Sequence, residues 1–212
     1  MYKIKTFMVN NFGKVANLSN VQCSDINVLV GENSTGKTFL LKALYSAVRA
    51  QEDFWRGEDK RPVADILAEK LKWTFQVERI GDLVTKPAKE PLRFSMLLND
   101  EEMKYGFSKD ATSKIINLTG GISKDGNSVF IPSKEVLSLY SIILKSREID
   151  KVFGFDDTYY DLAKALRISP SRGKNYSAFA SAREKVRNII DGRVHLDEGS
   201  GIIRTIKVKK LP

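Results

Sequence analysis

Cysteine and histidine are almost missing from this chain, which has one of each, Cys23 and His195. A lone cysteine allows no internal disulfide framework and fits a reducing cytoplasm. One cysteine and one histidine also cannot build a zinc site. Long hydrophobic runs are missing too: nothing approaches the roughly 18 consecutive apolar residues of a membrane-spanning helix. The opening Met1-Tyr2-Lys3-Ile4-Lys5 alternates polar and apolar, like a strand, and lacks the apolar stretch of a secretory signal. Neither an internal repeat nor a low-complexity tract is visible. The expected location is the cytoplasm, with no membrane partner.

What the chain does have is enough apolar content for a real core. Its 212 residues are 42% hydrophobic, which suits one globular domain or one domain carrying an inserted lobe. Lysine and arginine exceed the acids by 35 to 26, a formal charge of +9. That excess favours polyanions, with nucleic acid the obvious candidate, or simply keeps the surface soluble. Arg183, Lys185 and Arg187 on one helical pattern, and the tail with Arg204, Lys207, Lys209 and Lys210, are the candidate DNA contacts.

Hydrophobic periodicity sets out the elements. Residues 2–9 read as a strand ending in the turn cluster Asn10-Asn11-Phe12-Gly13, and a second strand follows over 14–18. Ile26-Asn27-Val28-Leu29-Val30 reads as a short buried central strand stopping at Gly31. A helix is expected over 37–50, with Leu40, Leu41, Leu44 and Val48 at helical spacing. Pro62 opens another, striped by Val63, Ile66, Leu67 and Leu71. Residues 91–131 read as a small inserted antiparallel sheet, from the runs 92–98, 115–118 and 129–131. Helical patterns return at 133–147, 158–167 and 176–190. Residues 193–209 read as a hairpin turning at 197–201.

The strongest chemical signal is Gly31-Glu32-Asn33-Ser34-Thr35-Gly36-Lys37-Thr38, which satisfies G-x-x-x-x-G-K-[ST]. The glycines Gly31 and Gly36 let the backbone curl, so that amide N–H groups including those of Asn33, Ser34 and Thr35 converge on a β-phosphate. Lys37 offers a charge to the β- and γ-phosphates. Thr38 offers a hydroxyl to Mg²⁺, and the helix starting there points its positive end at the anion. The expected cofactors are ATP and Mg²⁺.

Asn33, two positions past the first glycine, resembles the loops of the ABC and SMC-like ATPases, as does the lead-in of a strand, Asn11-Phe12-Gly13-Lys14 and a second strand. Within that superfamily, 28–40 and Phe130-Ile131-Pro132-Ser133-Lys134-Glu135-Val136-Leu137-Ser138 resemble the OLD and SMC-like bacterial AAA-type ATPases common in anti-phage defence. The resemblance implies an α/β P-loop fold of ABC/SMC-head type, with a mixed sheet around 26–30 and an inserted, mainly helical lobe after about residue 60. Residues 1–60 would hold the first strands, the loop and the first helix, and 61–212 the remainder of one incomplete ATPase domain. It further implies a head that sandwiches ATP in a homodimer or with a split-head partner supplying an LSGGQ-type signature. DNA and an effector nuclease are the further partners it implies. Gln76 is the nearest match to a metal-sensing Q-loop glutamine.

Three segments imitate the missing signature and Walker B motifs. Leu118-Thr119-Gly120-Gly121-Ile122-Ser123 resembles a signature but runs into a turn, and a hairpin loop is the simpler reading. In Val152-Phe153-Gly154-Phe155-Asp156-Asp157 the acids read as a helix N-cap. Val194-His195-Leu196-Asp197-Glu198 reads as part of a hairpin. No residue is therefore identified as a catalytic base. The expected function is the Mg-ATP-binding lobe of an ATPase whose hydrolysis needs elements not seen here. A nucleotide-switched binding module without catalysis is the alternative, and a P-loop small-molecule kinase with Arg167, Arg172 and Arg183 as lid residues is a third.

Overall fold

The computed structural model describes residues 2–86, 88–133, 139–167, 180–190, 193–197 and 202–206, the last two stretches by backbone alone. The chain divides into two compact units, 1–128 and 129–212.

The first unit is built on a five-stranded antiparallel sheet in the order β2-β1-β3-β4-β5. Its strands are β1 (Ile4–Phe12), β2 (Val15–Gln22), β3 (Leu92–Leu98), β4 (Glu101–Phe107) and β5 (Asn117–Thr119). Alternation decides which face is covered. Leu92, Phe94 and Met96 of β3 and Met103, Tyr105 and Phe107 of β4 are buried, while Arg93, Glu102 and Lys104 between them are exposed. Two helices, α1 (Lys37–Asp53) and α2 (Val63–Phe75), pack on each other and join the buried sheet residues in one core. Leu40, Ala43, Leu44, Ala47 and Val48 form the buried side of α1, and Ile66, Leu67 and Leu71 that of α2. Pro62 stands at the N-cap of α2, as its missing N–H and fixed φ allow.

Three sequence expectations change here. The segments 92–98 and 115–118 do not form a separate small sheet, because β3 pairs along β1 and carries β4 and β5 with it. Residues 129–131 are not a strand, and Val129 and Ile131 lie in the open. Most consequential is the segment 26–30. It forms no strand and pairs with none among the described residues, and Ile26, Val28 and Val30 are 85%, 80% and 89% exposed. The described sheet of this unit is antiparallel, not the mixed sheet expected around this segment.

In the second unit, α3 (Tyr140–Glu148) and α4 (Asp157–Arg167) pack through Tyr140, Ile143 and Ala163. Asp156 starts α4: its Oδ1 accepts from the Thr158 N–H at 2.9 Å and from the Thr158 hydroxyl at 2.5 Å. This is the N-cap role expected of that acidic pair. Helix α5 (Ala180–Ile190) and the hairpin β6 (Arg193–Asp197) and β7 (Ile202–Ile206) follow, the hairpin pairing His195 with Arg204. The early part of the helix expected over 133–147, residues 176–179 of the later one, and the hairpin turn 198–201 lie outside the described residues, in whole or in part.

Candidate nucleotide site

Residues 33–36 form a turn and bend that lead directly into α1, so the loop-to-helix half of the expected geometry is present. The strand half is replaced by the segment 26–30, which pairs with no strand among the described residues. The loop curls through two left-handed residues, Ser34 with φ 65° and Gly36 with φ 95°. Gly36 occupies the N-cap of α1, where a left-handed backbone favours glycine. Gly31 has no such backbone; a Cβ there would instead meet the Thr35 Oγ1 at 3.3 Å.

The N-terminus of α1 has no side-chain cap and no acidic residue in its first turn. Its leading amides, those of Lys37, Thr38 and Phe39, have no acceptor within the helix, because the first internal bond runs from the Leu40 N–H to the Gly36 carbonyl. Unsatisfied donors, an uncancelled helix dipole and nearby lysines together make an anion site. Lys37 donates to the carbonyl oxygens of Gly31 at 2.7 Å and Glu32 at 2.5 Å. The Thr35 hydroxyl donates to the Glu32 carbonyl at 2.9 Å, which closes the curl from within. Asn33 and Thr38 are exposed, and Thr38 stands in the first turn of α1.

Two other elements hold this loop. Phe39 packs edge-on against Phe12 at 5.3 Å between ring centres and at a tilt against Phe75 at 4.4 Å, tying the start of α1 to β1 and to the end of α2. The hairpin tip between β1 and β2, Gly13-Lys14, is fixed from the far side. The Gly13 N–H donates to the Leu83 carbonyl at 2.7 Å, and the Thr85 hydroxyl donates to the Gly13 carbonyl at 2.8 Å. The tip thereby brings Lys14 to the loop, where its Nζ donates to the Ser34 carbonyl at 3.2 Å. The sequence reading used Lys14 only as part of a lead-in phrase. Its nearness to the loop depends on the pairing of Phe12 with Val15, which places the hairpin turn at 13–14 and not at 10–13.

A divalent ion suits this site only together with a polyphosphate. Among the described residues no three of His, Cys, Asp and Glu cluster as a metal cage. Mg²⁺ commonly binds through one or two protein oxygens plus phosphates and waters. The Thr38 hydroxyl, exposed in the first turn of α1, is a protein oxygen that could hold such an ion, which would offset charge on the β- and γ-phosphates.

The other expected motif residues take structural roles of their own. Gln76 is exposed and serves as the left-handed C-cap of α2, φ 53°. Gly120 and Gly121 end β5 with φ 74° and 82°, and no helix starts after them. They form neither a signature nor a hairpin. Instead, the following residues strap across the C-terminal end of α1. The Lys124 N–H donates to the Gln51 carbonyl, the Ser123 hydroxyl to the Phe54 carbonyl, and the Ser128 N–H and hydroxyl to the buried Glu52 carboxylate. Of the candidate DNA contacts, Lys185 and Arg187 are exposed on α5, and Arg187 reaches Glu184 at 3.5 Å. Residues 207–212 and the side chains of Arg183 and Arg204 lie outside the described part.

Comparison with curated proteins and with solved structures finds no match. A protein family described as "AAA domain, putative AbiEii toxin, Type IV TA system" matches residues 26–210, a span that begins just ahead of the loop and takes in all of it. The chain therefore belongs to that AAA-domain family and, with it, to the P-loop ATPases.

Proposed function

We propose that this chain binds Mg-ATP in the loop of residues 31–38 and works as the nucleotide-binding lobe of an ABC/SMC-like ATPase. The observation that carries the reading is the uncapped N-terminus of α1, joined to a curled loop with Lys37 folded over it. Gly31, Asn33, Ser34, Thr35, Gly36, Lys37 and Thr38 are the proposed binding residues, with Thr38 on the metal. Hydrolysis also needs a carboxylate and a group that orients water. The sequence shows no convincing carboxylate for that role, which supports completion of the site by a partner surface, a second copy of this chain or a split-head subunit. The toxin and toxin–antitoxin wording of the family description is in keeping with a defence setting, in which nucleotide state would govern an effector or DNA.

Titration of the purified chain with Mg-ATP tests the reading. Saturable binding is expected, with Lys37→Ala weakening it at least about a hundredfold, since a charge-assisted contact to phosphate is lost. Absence of binding by the unaltered chain would overturn it. The second reading, a switch without catalysis, draws on the same lack of a hydrolytic carboxylate, and is favoured if binding persists without turnover at any protein concentration.

A further inference from the structure

We propose that Lys14, at the tip of the β1–β2 hairpin, is a second cation for the polyphosphate, so that the hairpin and the loop grip the ligand from separate elements. This rests on the reading of 31–38 as a nucleotide loop. Lys14 and Lys37 share one condition: each ammonium is satisfied by main-chain carbonyl oxygens of the loop, Ser34 for Lys14 and Gly31 and Glu32 for Lys37. A neutral carbonyl is the weaker acceptor. A hydrogen bond from an ammonium to a phosphate oxygen is shorter and roughly twice as strong as a neutral one. A polyphosphate entering the curl therefore draws both lysines off the carbonyls.

The placement of Lys14 is built, not incidental. Its Cβ lies 3.3 Å from where a side chain on Gly36 would begin, so the hairpin rests on the last residue before the helix. Its neighbour Gly13 has φ +58° and lies so close to the Phe39 ring that a Cβ would fall 2.2 Å from it. Bonds from Thr85 and to Leu83 fix the same turn from the opposite side. The lysine is exposed and the turn beneath it is held on two sides, an arrangement that presents a charge at a fixed position without using it in the core.

The test compares the unaltered chain with Lys14→Ala, Lys14→Arg and Lys37→Ala by calorimetric titration with Mg-ATP and, separately, with inorganic tripolyphosphate. Because Lys14 is exposed, all Lys14 variants are expected to melt with the parent. Lys14→Ala is expected to weaken both ligands about tenfold, the size of one lost charge-assisted hydrogen bond. Lys14→Arg is expected to stay within about threefold of the parent, since it keeps the charge. If Lys14→Ala binds both ligands like the parent while Lys37→Ala loses them, the Lys14 inference is overturned and the loop reading stands. A loss confined to ATP moves the contact to the nucleoside and overturns the phosphate assignment. If the parent binds neither ligand, the loop reading falls and this inference with it.

Discussion

Gly13 is the residue whose size matters most to the site. A methyl group there would collide with the Phe39 ring, in a backbone conformation that other residues adopt only under strain. Gly13→Ala is expected to lower stability by about 2 kcal/mol, from overpacking plus a left-handed φ. Urea denaturation reads this directly, and an unchanged midpoint would mean that the hairpin tip does not sit on Phe39. Tyr105 makes the opposite case. Burial pushes its phenol well above the ordinary range, and its hydroxyl is enclosed in the core with no hydrogen-bond partner among the described residues. Tyr105→Phe should be neutral or stabilise by up to about 1 kcal/mol, because an unsatisfied polar atom leaves the core; a clear loss would reveal a partner for that hydroxyl. At this scale the sequence was partly legible. The spacing Gly31, Gly36, Lys37 and Thr38 marks the loop without any structure. Lys14 could not be found that way, since its approach to Ser34 is set by strand register and by Thr85, which lies 72 positions from Gly13.

Helices were read more securely than strands, for a physical reason. The stripes of α1 and α2 are set by local 3.6-residue spacing, and both helices form where that spacing lies. A strand needs a partner that periodicity cannot name. Strand β4 alternates Met103, Tyr105 and Phe107 with Glu102, Lys104 and Gly106, yet its charged content hid it until its pairing with β3 was seen. Residues 26–30 show the reverse: a strand by composition, with no paired neighbour among the described residues. Val28→Asp in the isolated chain is therefore expected to change stability by no more than about 0.5 kcal/mol, as at other exposed sites. A loss of several kcal/mol would return the segment to a buried sheet. The strap over α1 is the counterpart in polar form. Glu52 is enclosed and accepts from Arg49 at 2.7 Å as well as from Ser128. Glu52→Ala should cost about 3 kcal/mol in urea denaturation, because it strands the Ser128 donors and leaves Arg49 with Asp53 as its remaining acidic partner in the helix. A cost near zero would mean the strap is not held there.

Across the whole molecule, the two units contribute differently to what was legible. The family match from 26 to 210 spans both, while the loop, its helix and the hairpin that carries Lys14 all belong to the first unit. The ATP-driven reading places the hydrolytic groups on a partner surface. If that partner is a second copy, turnover per chain should rise with protein concentration, and a rate per chain that stays constant from nanomolar to micromolar would count against it. The binding and turnover expectations presuppose that residues 31–38 wrap a polyphosphate. Amide hydrogen exchange with and without saturating Mg-ATP tests this most directly. Slowed exchange across 31–38 and the first turn of α1, absent in Lys37→Ala, is the predicted result. Exchange there that ignores the nucleotide would contradict it.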